Sequence, residues 1–159
     1  PLSDDPGGCA DRAAQAGVSD CVVVGFDVAS SEAAVRQAES HPRIWAVVGV
    51  HPQGAAAWDD AAARRLRGWA DHPRVLAIGE IGIDTYRDHA PLPRQRAVFL
   101  EQLDLARECG LPVVLHCRSS EEHDATQDVL DQLEARDALR GAVVHCFSGT
   151  PDQARRVWE

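Results

Sequence analysis

The chain has 159 residues, 45% of them hydrophobic, with 25 acidic and 16 basic side chains and a formal net charge of -9. That is enough apolar material for one folded unit, while the acidic balance excludes the long-range electrostatic grip by which basic proteins hold nucleic acid non-specifically. Every basic side chain is Arg, so neither a Schiff base nor a carbamylated lysine between metals is available within these residues.

Short apolar runs alternate with segments of helical period. The first run, Cys21 to Gly25, leads to Asp27, and the second, Ile44 to Val50, ends on His51. Trp58, Ala62, Leu66 and Trp69 then recur at helical spacing, a stripe that buries one face. The third run, Val75 to Ile81, carries Glu80, and the next helix is marked by Phe99, Leu103 and Ala106. A fourth run, Val113 to Leu115, ends on His116. After it a helix is expected over Glu122 to Ala138 with Val129, Leu130 and Leu133 inward. The fifth run, Ala142 to Val144, ends on His145, and Thr150-Pro151 opens a last helix, with Thr as cap and Pro in the first turn. Each run is rich in β-branched or aliphatic residues and too short for a helix. The alternation predicts parallel α/β architecture.

No run reaches the roughly 18 apolar residues of a membrane span, and Pro1-Leu2-Ser3-Asp4-Asp5 has no signal-peptide character. Cys9, Cys21, Cys109, Cys117 and Cys146 are odd in number and form no C-x-x-C pair, which fits reduced thiols. A cytoplasmic protein without membrane or obligate protein partner is expected. No Gly-rich phosphate fingerprint follows any run, which disfavours a doubly wound nucleotide-binding fold.

Asp27, His51, Glu80, His116 and His145 all lie at or near the ends of apolar runs. In a closed parallel barrel those ends meet on one rim, with neighbouring strands about 4.8 Å apart, so such residues can share one small ligand. A carboxylate at the position of Glu80 is costly to desolvate without a cation. Strand alternation places Cys117 and Cys146 on the face opposite His116 and His145, as buried packing residues. His51, before Pro52, either caps a turn or contacts substrate, and Arg118, two residues past His116, either offers a fixed fork to a phosphate or makes a surface ion pair. His41, His72, His89 and His123 read as structural. The acidic run Glu121-Glu122-His123-Asp124 suits a helix start.

Gly79-Glu80-Ile81-Gly82-Ile83-Asp84 with Gln95 and Phe99, Leu111-Pro112-Val113-Val114-Leu115-His116-Cys117-Arg118, and Val144-His145-Cys146-Phe147-Ser148-Gly149 together resemble TatD-type metal-dependent hydrolases. Gly49-Val50-His51-Pro52 and His72-Pro73-Arg74-Val75 fit the same pattern. The resemblance implies a TIM-barrel-like (β/α)8 fold of the amidohydrolase-like kind, of which about five βα units are present. Residues 1–159 would then be a single partial barrel domain without its first strand and last strands. It also implies two divalent ions, of zinc, magnesium, manganese or iron, with Glu80, His116 and His145 as ligands. His51, Asp84 and Arg118 would contact substrate or steady the ligands. No catalytic group is implied beyond a metal-bound water. The family's His-x-His pair and final Asp are not among these residues.

The activity implied is hydrolysis of phosphodiester bonds in DNA, at ends or in single strands, of 3'-5' exonuclease character. D-aminoacyl-tRNA or another ester or amide on the same metals is the alternative, and a catalytically silent barrel piece or interaction module is the alternative of another class. An open parallel sheet with two unpaired edges is expected to be inactive alone and prone to association.

Overall fold

A computed structural model describes residues 5–87, 89–135 and 140–158. Five strands, β1 (Cys21–Val24), β2 (Ile44–Val48), β3 (Val75–Asp84), β4 (Val113–Arg118) and β5 (Ala142–Val144), alternate with six helices. These are α1 (Pro6–Gln15), α2 (Val28–Ser40), α3 (Asp60–Ala70), α4 (Leu92–Cys109), α5 (Ala125–Glu134) and α6 (Pro151–Trp158). A 3-10 helix, Pro52–Ala57, follows β2.

The strands pair in the order β1-β2-β3-β4-β5, all parallel. Each strand lies beside its sequence neighbour, so the order never reverses and there is no switch point of the doubly wound kind. This is the progressive winding of a (β/α)8 barrel. The described residues form an arc of it, with β1 and β5 as its edges.

Burial along the strands explains the arc. In β4, Val113, Leu115 and Cys117 are buried whereas Val114 and His116 are half-buried and Arg118 is exposed, the period-two alternation of a sheet with helices on one face. Ile44, Ile78, Ile81, Ile83, Leu115, Leu66, Phe99 and Leu103 are sealed between sheet and helices. The other face is open at the edges, where Val22, Val24 and Val143 stay exposed.

Several boundaries depart from expectation. The third strand continues three residues past Ile81 to Asp84, so Glu80 lies within a strand. β2 stops at Val48, because Val50 is bonded to a helix side chain instead of a neighbouring strand. Helix α5 begins at Ala125, not Glu122, since the Asp124 carboxylate accepts from Gln127 N–H at 3.0 Å and caps it. The expected last turn of that helix, residues 136–138, lies outside the described residues. At α6 the expected cap is present: Thr150 Oγ1 accepts from Gln153 N–H at 3.2 Å, while Gln153 Oε1 accepts from Thr150 N–H at 2.8 Å.

Candidate metal centre

Two buried glutamines on α4 fix the backbone from which the site is built. Gln95 and Gln102 are seven residues apart and so share a helix face. Gln102 accepts from Val50 N–H at 2.8 Å and donates to Val50 O at 3.0 Å, clamping the residue before His51. Gln95 does the same for Asp84, with bonds of 2.9 and 3.0 Å, and also donates to Ala90 O at 2.8 Å. The strands meanwhile approach closely through glycine. At Gly82, φ is 144° and a Cβ would lie 2.0 Å from the His116 carbonyl oxygen. Only glycine lets β3 come that near β4.

On this frame Glu80, His116 and His51 converge, with one ligand atom from each within 4.8 Å of the others. Glu80 Oε1 lies 3.0 Å from His116 Nδ1, and Asp84 Oδ2 lies 3.2 Å from His116 Nε2. The His116 imidazole is therefore held between two carboxylates, and its edge meets the His51 ring at 4.2 Å between centroids. Asp84 is fully buried, and its other contacts are the Gln53 amide at 2.9 Å and the N–H groups of Tyr86 and Arg87 at 3.0 Å each.

These contacts set the charges. Hydrogen bonding to His116 lowers the Glu80 pKa against the opposing effect of burial. Burial pushes Asp84 upward, but the Gln53 amide, the Arg87 N–H and His116 together outweigh it and hold the carboxyl below its ordinary range. Burial and the neighbouring His116 push His51 down to about 4, so its ring is neutral at pH 7. Gln53 N–H donates to His51 Nδ1 at 3.2 Å, which leaves the proton of the neutral ring on Nε2. His51 thus caps the 3-10 helix with one nitrogen and offers a hydrogen bond with the other.

The ionised Glu80 carboxylate and the His116 imidazole, part-buried and 3.0 Å apart with the His51 ring beside them, fit a divalent cation. Nitrogen and oxygen ligands of one ion, each roughly 2.0–2.2 Å from it, come about that close to one another. His145 does not join the three-residue group. Its N–H still follows the sheet, donating to Leu115 O at 2.9 Å, but β5 ends one residue earlier and the side chain stands in the wall of a cavity of about 360 Å³ shared with His51, Glu80, His116 and Arg118. Arg118 and Arg87 face an adjoining cavity of about 470 Å³ with His51, Asp84 and His116.

Cys117 is buried as expected, and burial pushes its thiol up to about 12. Cys146 corrects the expectation for its pair. With the strand ended at Val144 there is no alternation to turn it inward; φ is 48°, the residue is exposed, and Sγ lies 3.2 Å from His145 Nε2. Asp27 caps α2, accepting from Ser30 N–H at 2.7 Å, and lines the 470 Å³ cavity. Residue-by-residue reading missed the role of Gln102; its only sequence signal is an amide on the buried face beside Phe99 and Leu103.

Residues 2–159 match the family model described as TatD related DNase. The chain is 42% identical over 142 residues to the 3'-5' ssDNA/RNA exonuclease TatD of Enterobacter lignolyticus (strain SCF1), covering 89% of this chain and 53% of that protein. It is 43% identical over 146 residues to the protein of the same name from Cronobacter sakazakii (strain ATCC BAA-894), covering 92% and 54%. The crystal structure of YjjV, a TatD homologue from Escherichia coli K12, superposes with a TM-score of 0.89 at 32% identity, covering 99% of this chain and 60% of that one. The chain spans about half the length of the curated relatives it matches. No helix among the described residues is long and apolar enough to cross a membrane.

Proposed function

This chain belongs to the TatD related DNase family, and we propose that it forms the Glu80–His116 part of the active centre of a metal-dependent nuclease acting on the ends of single-stranded nucleic acid. The observation that carries the proposal is the convergence of Glu80, His116 and His51 within 4.8 Å, from the carboxyl-terminal halves of β3 and β4 and the residues just past β2, the end of the sheet where barrel enzymes place their chemistry. Similarity to relatives named as 3'-5' ssDNA/RNA exonucleases supports the substrate.

Glu80 and His116 would hold divalent metal, joined by His145 from the cavity wall. Two ions need donors beyond these three residues. When bound, such ions supply Lewis-acid activation of water and of the scissile phosphate; the ligand types suit zinc, manganese, iron or magnesium. Asp84 steadies His116 from behind, as outer partners of metal ligands do. His51, neutral and with its Nε2 proton toward the site, donates to a phosphate oxygen. Arg118 and Arg87 bring positive charge to an otherwise acidic protein where the phosphate must sit. A cytoplasmic location belongs to the same proposal, supported by the odd, scattered cysteines.

The test removes metal from the full-length protein with a chelator, restores each of the four metals singly, and follows hydrolysis of single strands, duplex and D-aminoacyl-tRNA in parallel. Metal-restored release of nucleotides from single-stranded ends is expected. Restored activity on the aminoacyl ester alone would overturn the nuclease reading.

A further inference from the structure

Tyr86 is 63% exposed, large and apolar, and it sits two residues past Asp84 at the rim of the site. It is not a loose side chain. Its backbone N–H donates to Asp84 Oδ1 at 3.0 Å, and the other oxygen of the same carboxylate lies 3.2 Å from His116 Nε2. The guanidinium of Arg118 packs over the Tyr86 ring, 4.1 Å from its centroid. Arg118 in turn is paired in register with Asp84 and sits two residues past His116 on the same face of β4. Ring and cation are thus both anchored beside His116, the ring through Asp84 and the cation through β4.

Arg118 also divides space at the rim. It lines the 360 Å³ cavity of the cluster, the 470 Å³ cavity with Arg87, and a third groove of about 610 Å³ whose walls include Tyr86, Glu121, Glu122 and Asp124. The second cavity carries two arginines and suits phosphates. Of the described residues that line the third, Arg118 is the one arginine, set beside His123 and three carboxylates, and a wall of that balance repels a further phosphodiester. What that groove can accept next to a phosphate held at the cluster is the neutral part of one nucleotide. An exposed aromatic ring stacked with a guanidinium is a surface on which a nucleobase stacks irrespective of its identity.

Building on the nuclease reading above, we propose that Tyr86, backed by Arg118, is the platform for the unpaired terminal base, the one beyond the scissile phosphate, and that the acidic wall of Glu121, Glu122 and Asp124 ends the strand there. The strand body leaves through the cavity lined by Arg87 and Phe26. The arrangement selects an end over an internal site by charge and a single strand over a duplex by stacking, because a paired base has no free face for the ring.

The experiment uses full-length, metal-loaded protein and two single-stranded oligonucleotides, identical except that one carries an abasic tetrahydrofuran unit as its 3'-terminal residue. Wild type is expected to show a KM about tenfold lower for the native end, the effect of one base-aromatic stack. Tyr86→Ala should bring the ratio of the two KM values close to one, and Tyr86→Trp should keep it. A ratio near one in wild type, or an undiminished ratio in Tyr86→Ala, overturns the platform while leaving the nuclease reading standing. Hydrolysis of neither oligonucleotide by wild type overturns that reading, and the platform with it.

Discussion

Replacing Gln102 with Leu separates positioning from chemistry, because Gln102 reaches the site only through backbone. It is 1% exposed and its amide makes both hydrogen bonds of Val50, at 2.8 and 3.0 Å. Leucine fills a similar volume but orphans one N–H and one C=O in the interior. Each such group costs about 1–3 kcal/mol, and the added apolar burial returns about 1 kcal/mol. A net loss of about 1–5 kcal/mol follows. With a urea dependence of about 2 kcal/mol per molar, the unfolding midpoint should fall by about 0.5–2.5 M at unchanged slope. Freed of its clamp, Val50 no longer holds His51 beside His116, so KM for a single-stranded end should rise by a larger factor than kcat falls. An unchanged midpoint in Gln102→Leu would refute the reasoning, since it would mean that the Val50 groups find other partners without moving His51.

Four further outcomes are expected. Gly82→Ala should destabilise by about 2–5 kcal/mol, from a φ of 144° and a Cβ 2.0 Å from the His116 carbonyl; Gly68→Ala, exposed on α3 with open space around it, should stabilise by about 0.5–1 kcal/mol in the same melts. Glu80→Gln should weaken zinc or manganese binding at least about 100-fold, and Asp84→Asn about 10–100-fold, measured by titration calorimetry. Iodoacetamide at pH 8 should label Cys146, which is exposed, and spare Cys117, whose thiol is buried and pushed up to about 12; mass spectrometry of the peptides decides. Finally, metal-free protein should lose stability as pH falls from 6.5 toward 4. The folded His51 pKa of about 4 lies below its ordinary 6.5, so in that window the unfolded chain takes up the proton first. In His51→Asn, urea midpoints between pH 6.5 and 5 should depend less on pH.

The strand and helix order was legible because each apolar run of the buried parallel sheet is short, aliphatic and set off by polar residues, and because the helical stripes of Ala62 to Trp69 and Phe99 to Ala106 cover it, although Trp58, expected to begin the first stripe, lies in extended backbone before α3. Lengths were less legible. Nothing in Ile83 and Asp84 separates a strand from a loop until β4 lies alongside, since the ladder that extends β3 is formed with residues more than thirty positions away. Helix α2 was hidden by its composition: its buried residues are Ser31, Ala34, Val35 and Ala38, too small to form a visible hydrophobic stripe.

At the site, the pattern of polar strand ends identified which residues share a rim but not which of them touch. Glu80 and His116 meet because Gly82 allows β3 and β4 to approach, a fact carried by a missing side chain. His51 read equally as a turn cap or a substrate contact, and the alternatives are compatible: Nδ1 accepts from Gln53 N–H, which leaves Nε2 of the same ring available for the second role. Asp84 shows the converse. By resemblance it either contacts substrate or steadies the ligands, and complete burial with bonds from Gln53, Tyr86 and Arg87 occupies most of its lone pairs, leaving it one direction in which to act, toward His116. The carboxylate that can exchange its partner for a metal is therefore that of Glu80, whose side chain, among the described residues, is hydrogen-bonded to His116 alone. It follows that Glu80→Gln and Asp84→Asn should differ in kind: the first removes a ligand and should abolish tight metal binding, whereas the second leaves the ligands in place and should leave a weaker site that still saturates at higher metal concentration.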